Sequence, residues 1–227
     1  KGLNIYNTCM YKYFHFKKIK MSFEADYLDS FSNESSSIVD TDDVTLTSSS
    51  STINTNLLNA ISQTLTEVIS KNKSLKNFQK IQKEQAKQPY SSPIPPQISI
   101  YDYLHRIKFY GEMDDNTLVI ALIYIDRLCA LAEITLTYHN IHRILFTSVL
   151  IAVKYNEDKI YENKYYADIA GIHVKELNYL EFDFCDKMKF TLFITKNEFD
   201  KYESYLHGII SNVRYNMPDD YKNEDGM

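Results

Sequence analysis

The sequence predicts an all-α fold: a five-helix bundle with one additional helix before it and a short helix after it. Three observations carry this. From Leu57 onward, apolar residues recur at spacings of three and four, the period of a helix with one buried face. Between Ser99 and Met188, segments of that kind are joined by connections of three to eight residues, and Gly111 and Gly171 stand where two of them stop. The stretch LFTSVLIAVKYNED, residues 145–158, has no polar face before Lys154, so it belongs to a helix packed on every side.

Taken in order, the chain begins with KGLNIYNTCMYKYFHFKKIK, which is basic and aromatic but lacks the apolar core of a signal peptide. It reads as a targeting extension, a membrane-surface contact or a leader ahead of Met21. Residues 24–43 hold seven carboxylates and no lysine or arginine, and serine-rich sequence follows. So little apolar surface cannot offset the entropy of ordering, and 1–54 reads as a disordered N-terminal extension. Leu57, Leu58, Ile61, Leu65, Val68 and Ile69 then mark an amphipathic helix opened by Thr55 or Asn56. With the lysine- and glutamine-rich 71–88, read as a solvated extension or loop, it makes a second unit, 55–88. PYSSPIPPQ excludes helix, since each proline lacks a donor and biases its predecessor toward extended backbone.

The bundle occupies 89–207 together with a short closing helix, and 208–227 is a tail. Its first helix runs from Ser99 to Gly111. The second, 115–132, is capped by Asp114 or Asp115 and is apolar on more than one side. The third, about 139–157, contains the opening stretch and is the hub around which the others wrap. NKYYADIAG forms a short fourth helix, and 174–188 a fifth, with Leu177, Leu180, Phe184 and Met188 in one stripe. A buried strand over 145–153 is the alternative that periodicity leaves open. The helical neighbourhood and the length of the run oppose it.

Composition narrows the function. A 44% hydrophobic fraction with nineteen tyrosines and twelve phenylalanines supports a sizeable core. A net charge of −5 opposes nucleic acid as the main partner. The apolar run of 145–153 is too short for a membrane span. Cys9, Cys129 and Cys185 are odd in number and widely spaced, as in a reducing compartment, cytoplasm or nucleus. There is no glycine-rich phosphate loop and no nucleophile signature. His139 and His142 in HNIH share a helix face without further ligands at metal spacing, and read as the polar start of a helix. No catalytic site, metal or cofactor is expected.

Five blocks, ISIYDYLHRI, ALIYIDRL, HRILFTSVLIAVKYNED, NKYYADIAGI and ELNYLEFDF, occur in the order of a cyclin box. Over roughly 57–207 the chain resembles the single-box P/U-type cyclins, the group similar to the phosphate-pathway cyclin of yeast. YYADIAGI and the lead-in PIPPQISIYDYL separate this group from mitotic cyclins. The resemblance implies a regulatory subunit that forms a heterodimer with a cyclin-dependent serine/threonine kinase and activates it by holding the kinase's C helix in its active position. A scaffold that binds a kinase or another helical partner without activating it is the alternative. A promoter-clamping transcription factor would need a second fold, a basic face and a zinc ribbon.

Carried over by motif, Lys154 and Glu181 fall on the kinase-binding face. Ile151, Tyr155, Cys185, Phe190 and Leu192 fall by offset where cyclins receive the kinase helix. Arg106 and Asp126 correspond to the fold's internal ion pair. Because Lys154 ends a buried helix, its charge needs a partner, and Glu181 at the edge of the fifth helix's stripe is the natural one. Ser92 precedes Pro93 in a segment expected to be exposed and extended, and so resembles a proline-directed phosphorylation site. The substrate-docking groove of mitotic cyclins is not expected, because DYLHRI stands where those carry an MRAIL-like sequence. A second repeat of the fold is not expected within the sequence that follows Leu206.

Overall fold

Residues 53–215 are described by the structure, a computed structural model, with side chains through Ser211. Eight α-helices and no strands occur among them: α1 Thr55–Lys73, α2 Phe78–Gln85, α3 Ile100–Gly111, α4 Asp115–Leu131, α5 Ile141–Asn156, α6 Asn163–Ala170, α7 Val174–Lys187 and α8 Lys196–Tyr215. The expectations for residues 1–52 and for the end of the tail lie outside the described residues.

Helix α5 is the hub, as its all-round apolar sequence requires. Every residue from Ile144 to Val153 is buried, and the helix packs against α3, α4, α6 and α7. Helix α4 is nearly as central, buried from Leu118 to Cys129 except at Ile120 and Arg127, and touches α5, α7 and α8. Outside this pair, α1 lies against α3 and α8 through a stripe that includes Leu58, Ile61 and Leu65. An isolated helix of this length is marginal in water, so its order comes from that contact. The closing helix α8 runs to Tyr215, beyond the expected end near 207. Its Tyr202 and Leu206 are buried in the common core.

Several local expectations are corrected. The cap of α1 is Asn54, whose side chain accepts from the Leu57 amide, rather than Thr55 or Asn56. Within 71–88 a short helix, α2, forms, and Gln85 reaches from it to the Glu133 carbonyl. At the start of α4 neither Asp114 nor Asp115 caps with its own side chain. Glu157, just past α5, does so from across the fold: its carboxylate accepts from the Asp114 amide at 2.9 Å and from the Thr117 hydroxyl. Asp115 instead pairs with buried Lys108 at 2.8 Å. Gly111 is the last helical residue, and the left-handed turn falls on Glu112. A Cβ at Gly111 would meet Met113 Cε, so a larger residue there would displace the end of that side chain. Gly171, at φ 71°, is the left-handed stop its position suggests.

The proline-rich lead-in is fastened rather than free. Tyr90 is fully buried, edge-on to Phe184 with ring centroids 6.4 Å apart, and Lys187 lies over its face. The Ser92 amide donates to the His139 carbonyl at 2.7 Å, and His139 Nδ1 lies 2.8 Å from the Ser92 carbonyl. His142 Nε2 lies 2.9 Å from the Ile98 carbonyl. The two imidazoles of HNIH therefore hold this segment against the start of α5. Among the described residues no group of three or more possible ligands gathers around a metal position.

Candidate functional site

The charge at the end of α5 meets its counterpart on α7. Lys154 Nζ lies 2.5 Å from Glu181 Oε1, and the side chains remain 31% and 21% exposed. Asn163, the first residue of α6, donates from Nδ2 to the other oxygen of Glu181 at 2.8 Å and to Asn178 Oδ1 at 2.7 Å. Three helices thus converge on one carboxylate. The pair is compensated yet accessible, which leaves it able to meet groups from another molecule.

Apolar surface adjoins the pair. Cys185 lies one turn along α7 from Glu181 and is half-buried; burial pushes its thiol pKa up, the Glu181 carboxylate adds to this, and Lys154 opposes it. The Phe190 amide donates to the Cys185 carbonyl at 3.0 Å, which brings the chain back over α7. Lys189 and Phe190 both adopt positive φ, at 51° and 55°, a conformation that side chains with a Cβ seldom take. The turn leaves Phe190 67% exposed. Leu192 follows, half-buried, and its carbonyl accepts from the Tyr124 hydroxyl at 2.8 Å. Tyr124 lies beside Tyr155 and Asn156 at the end of α5; burial pushes its pKa up to about 12. Tyr155 is 52% exposed. A continuous face therefore runs from Lys154 and Glu181 through Cys185, Phe190 and Leu192 to Tyr155.

Of the residues singled out in sequence, Ile151 is the exception to this exposure. It is buried, as part of the common core. Arg106 and Asp126, expected as an internal ion pair, each bond to another group. Arg106 donates to the Asp168 carbonyl at 2.9 Å and so joins α3 to the end of α6. Asp126 faces α8 and accepts from the Tyr202 hydroxyl at 2.7 Å. The resemblance could not supply this arrangement, because it depends on where the closing helix lies.

Sequence reasoning missed Asn163, Tyr124, Arg127 and Phe193. Asn163 was readable only as the start of a short helix, and Tyr124 and Arg127 only as part of YIDRL. Phe193 is as exposed as Phe190 and follows Leu192 directly. That exposure was the available signal: a large aromatic next to a break between helices, with no stripe to bury it.

The described residues form an all-α bundle in which the Lys154–Glu181 pair stays partly open to solvent. The cyclin family model matches residues 30–192, most of the chain. The chain is similar to cyclin-U4-1 of Arabidopsis thaliana, 41% identical over 112 residues that make up 49% of this chain and 55% of that protein. It is also similar to cyclin-P4-1 of Oryza sativa subsp. japonica, 41% identical over 112 residues, 49% and 53% of the two chains. With PHO85 cyclin-7 of Saccharomyces cerevisiae it shares 33% identity over 124 residues, 49% and 44%. The matched segments span about half the length of these relatives. The chain belongs to the cyclin family. Within the family it is a P/U-type cyclin, as the names of these relatives and the five blocks agree.

Proposed function

We propose that this cyclin is the regulatory subunit of a cyclin-dependent serine/threonine kinase and activates it through the face around Lys154 and Glu181. The observation that carries the reading is the combination of an accessible, compensated ion pair with exposed aromatics, Tyr155 and Phe190, on one surface. Large exposed apolar groups around a few oriented polar ones are the usual make-up of a binding hot spot.

A kinase holds ATP productively only when its strand lysine pairs with the glutamate of its C helix. A partner that binds only the inward position of that helix shifts the equilibrium by its differential affinity. Lys154 and Glu181 would meet polar backbone next to the helix. Tyr155, Cys185, Phe190 and Leu192 would receive its apolar side. The interface would bury about 1,600 Å² or more, the area of a standard stable complex. The chain would supply surface and orientation, and no catalytic group. The name of the yeast relative points to PHO85 as a kinase to try first.

The test is phosphorylation of a generic substrate by purified PHO85 of Saccharomyces cerevisiae with and without this chain, alongside binding by calorimetry. Binding with a rise in kinase activity is expected. Binding without a rise would establish the scaffold reading, and absence of binding would remove this kinase as the partner.

A further inference from the structure

Three consecutive backbone carbonyls beyond α7 are held by side chains of α4. Arg127 Nη1 donates to the carbonyls of Thr191 and Phe193, at 2.9 and 3.0 Å. Tyr124 takes the Leu192 carbonyl between them. The rest of the guanidinium faces Glu198 in the first turn of α8: Nη2 to Oε2 at 2.6 Å and Nε to Oε1 at 3.2 Å. Both charged side chains are largely buried, 18% and 12% exposed.

The segment held in this way is neither helix nor strand, and the exposure of its side chains alternates. Leu192 and Ile194 turn toward the core, while Thr191 and Phe193 are exposed. Among the described residues there is no strand beside it, so side chains and not a sheet hold its carbonyls. The turn that leads into it passes through left-handed Lys189 and Phe190, which a free chain would leave. A guanidinium has five donors in a rigid fork, enough for two carbonyls and both oxygens of a carboxylate at once. A lysine could not reproduce this.

We infer that Arg127 is a positioning residue for partner binding: with Glu198 it locks the 190–194 segment so that Phe190 and Phe193 are presented beside the Lys154–Glu181 pair. The inference rests on the proposed function of that face. The role of Arg127 here is to hold the segment, through the Thr191 and Phe193 carbonyls and the Glu198 carboxylate, and not to touch the partner itself. It also gives α8 a role, since Glu198 completes the lock.

The test has two arms. Without partner, hydrogen exchange compares the parent with Arg127→Lys. The amides of Thr191 and Leu192, which bond within the turn to Met188 and Phe190, are expected to exchange faster in the variant, with α5 unchanged. Equal exchange would overturn the lock. With partner, affinity for purified PHO85 is measured well below each variant's melting temperature. Arg127→Lys should weaken binding about tenfold in the parent chain and less than about twofold in a Phe190→Ala, Phe193→Ala chain, because a residue that acts through those side chains has nothing left to position. Equal weakening in both backgrounds would show a general structural effect and overturn the inference. If the lysine variant does not fold, Glu198→Gln replaces it, with an expected loss of about threefold and the same comparison. If the parent and Lys154→Glu bind alike while Arg127→Lys is weaker, the reading of the face fails separately from that of the lock.

Discussion

Lys154 on α5 and Glu181 on α7 form an ion pair of 2.5 Å that stays partly open to solvent. An arrangement serving only to neutralise a buried charge would not need that opening. A partly exposed pair contributes about 1 kcal/mol or less to stability, so the fold survives its reversal. Lys154→Glu and Glu181→Lys are each expected to melt near the parent and to weaken kinase binding by about 2–4 kcal/mol, the range of central interface residues. The double reversal should recover the small loss of stability of each single variant without restoring affinity. Calorimetry beside a melting curve decides this, and unchanged binding in both single variants would remove the pair from the interface.

Asp126 and Tyr202 join α4 to α8 inside the core, at 2.7 Å. Burial, and then the nearby carboxylate, raise the hydroxyl's pKa well above its ordinary value, so it remains a donor throughout the usable pH range. Tyr202→Phe removes that donor from a buried carboxylate. The expected loss is about 1–3 kcal/mol in chemical denaturation. A loss near zero would show that Asp126 is served well enough by its other surroundings.

His142 makes stability depend on pH. Burial depresses its pKa below the ordinary value of 6.5, against the opposing effect of the Ile98 carbonyl, with Arg143 adding to the depression. The folded state therefore binds its proton less readily than the unfolded chain does. This contribution is fully present above about 6.5 and is lost as the pH falls through the depressed folded value. His142→Gln should flatten the fall in melting temperature between neutral and mildly acidic pH. An identical fall in both proteins would assign the effect to other groups.

Ser92 was expected in an open segment, and the structure shows it half-buried, paired with His139 and donating its hydroxyl to the Ile94 carbonyl at 2.7 Å. A proline-directed kinase would have to undo these bonds to reach it. A peptide covering the lead-in should therefore be phosphorylated at Ser92 at least about tenfold faster than the intact chain, as expected when access requires local opening. Mass spectrometry after incubation with ATP and the kinase measures both rates, and equal rates would show that the lead-in opens freely.

The existence, order and type of every helix but α2 were legible in the sequence, from apolar residues at helical spacing; α2 was not, because it buries only Gln85 and so leaves no apolar stripe to read. Also legible were the central place of α5, from its lack of a polar face, and the Lys154–Glu181 pair, from the need to compensate a charge at the end of a buried helix. Boundaries were legible only where one residue controls them, as at Ser99 and Gly171. Relations between distant segments were decided by tertiary structure alone. Glu157 caps a helix some forty residues earlier. His139 and His142 fasten a proline-rich strap, and α8 claims Asp126 that the family pattern assigned to Arg106. The physical reason is the same in each case. Periodicity reports whether a side chain is buried, but a polar group's partner is whichever complementary group the packed helices bring within about 3 Å, and no local pattern encodes that approach.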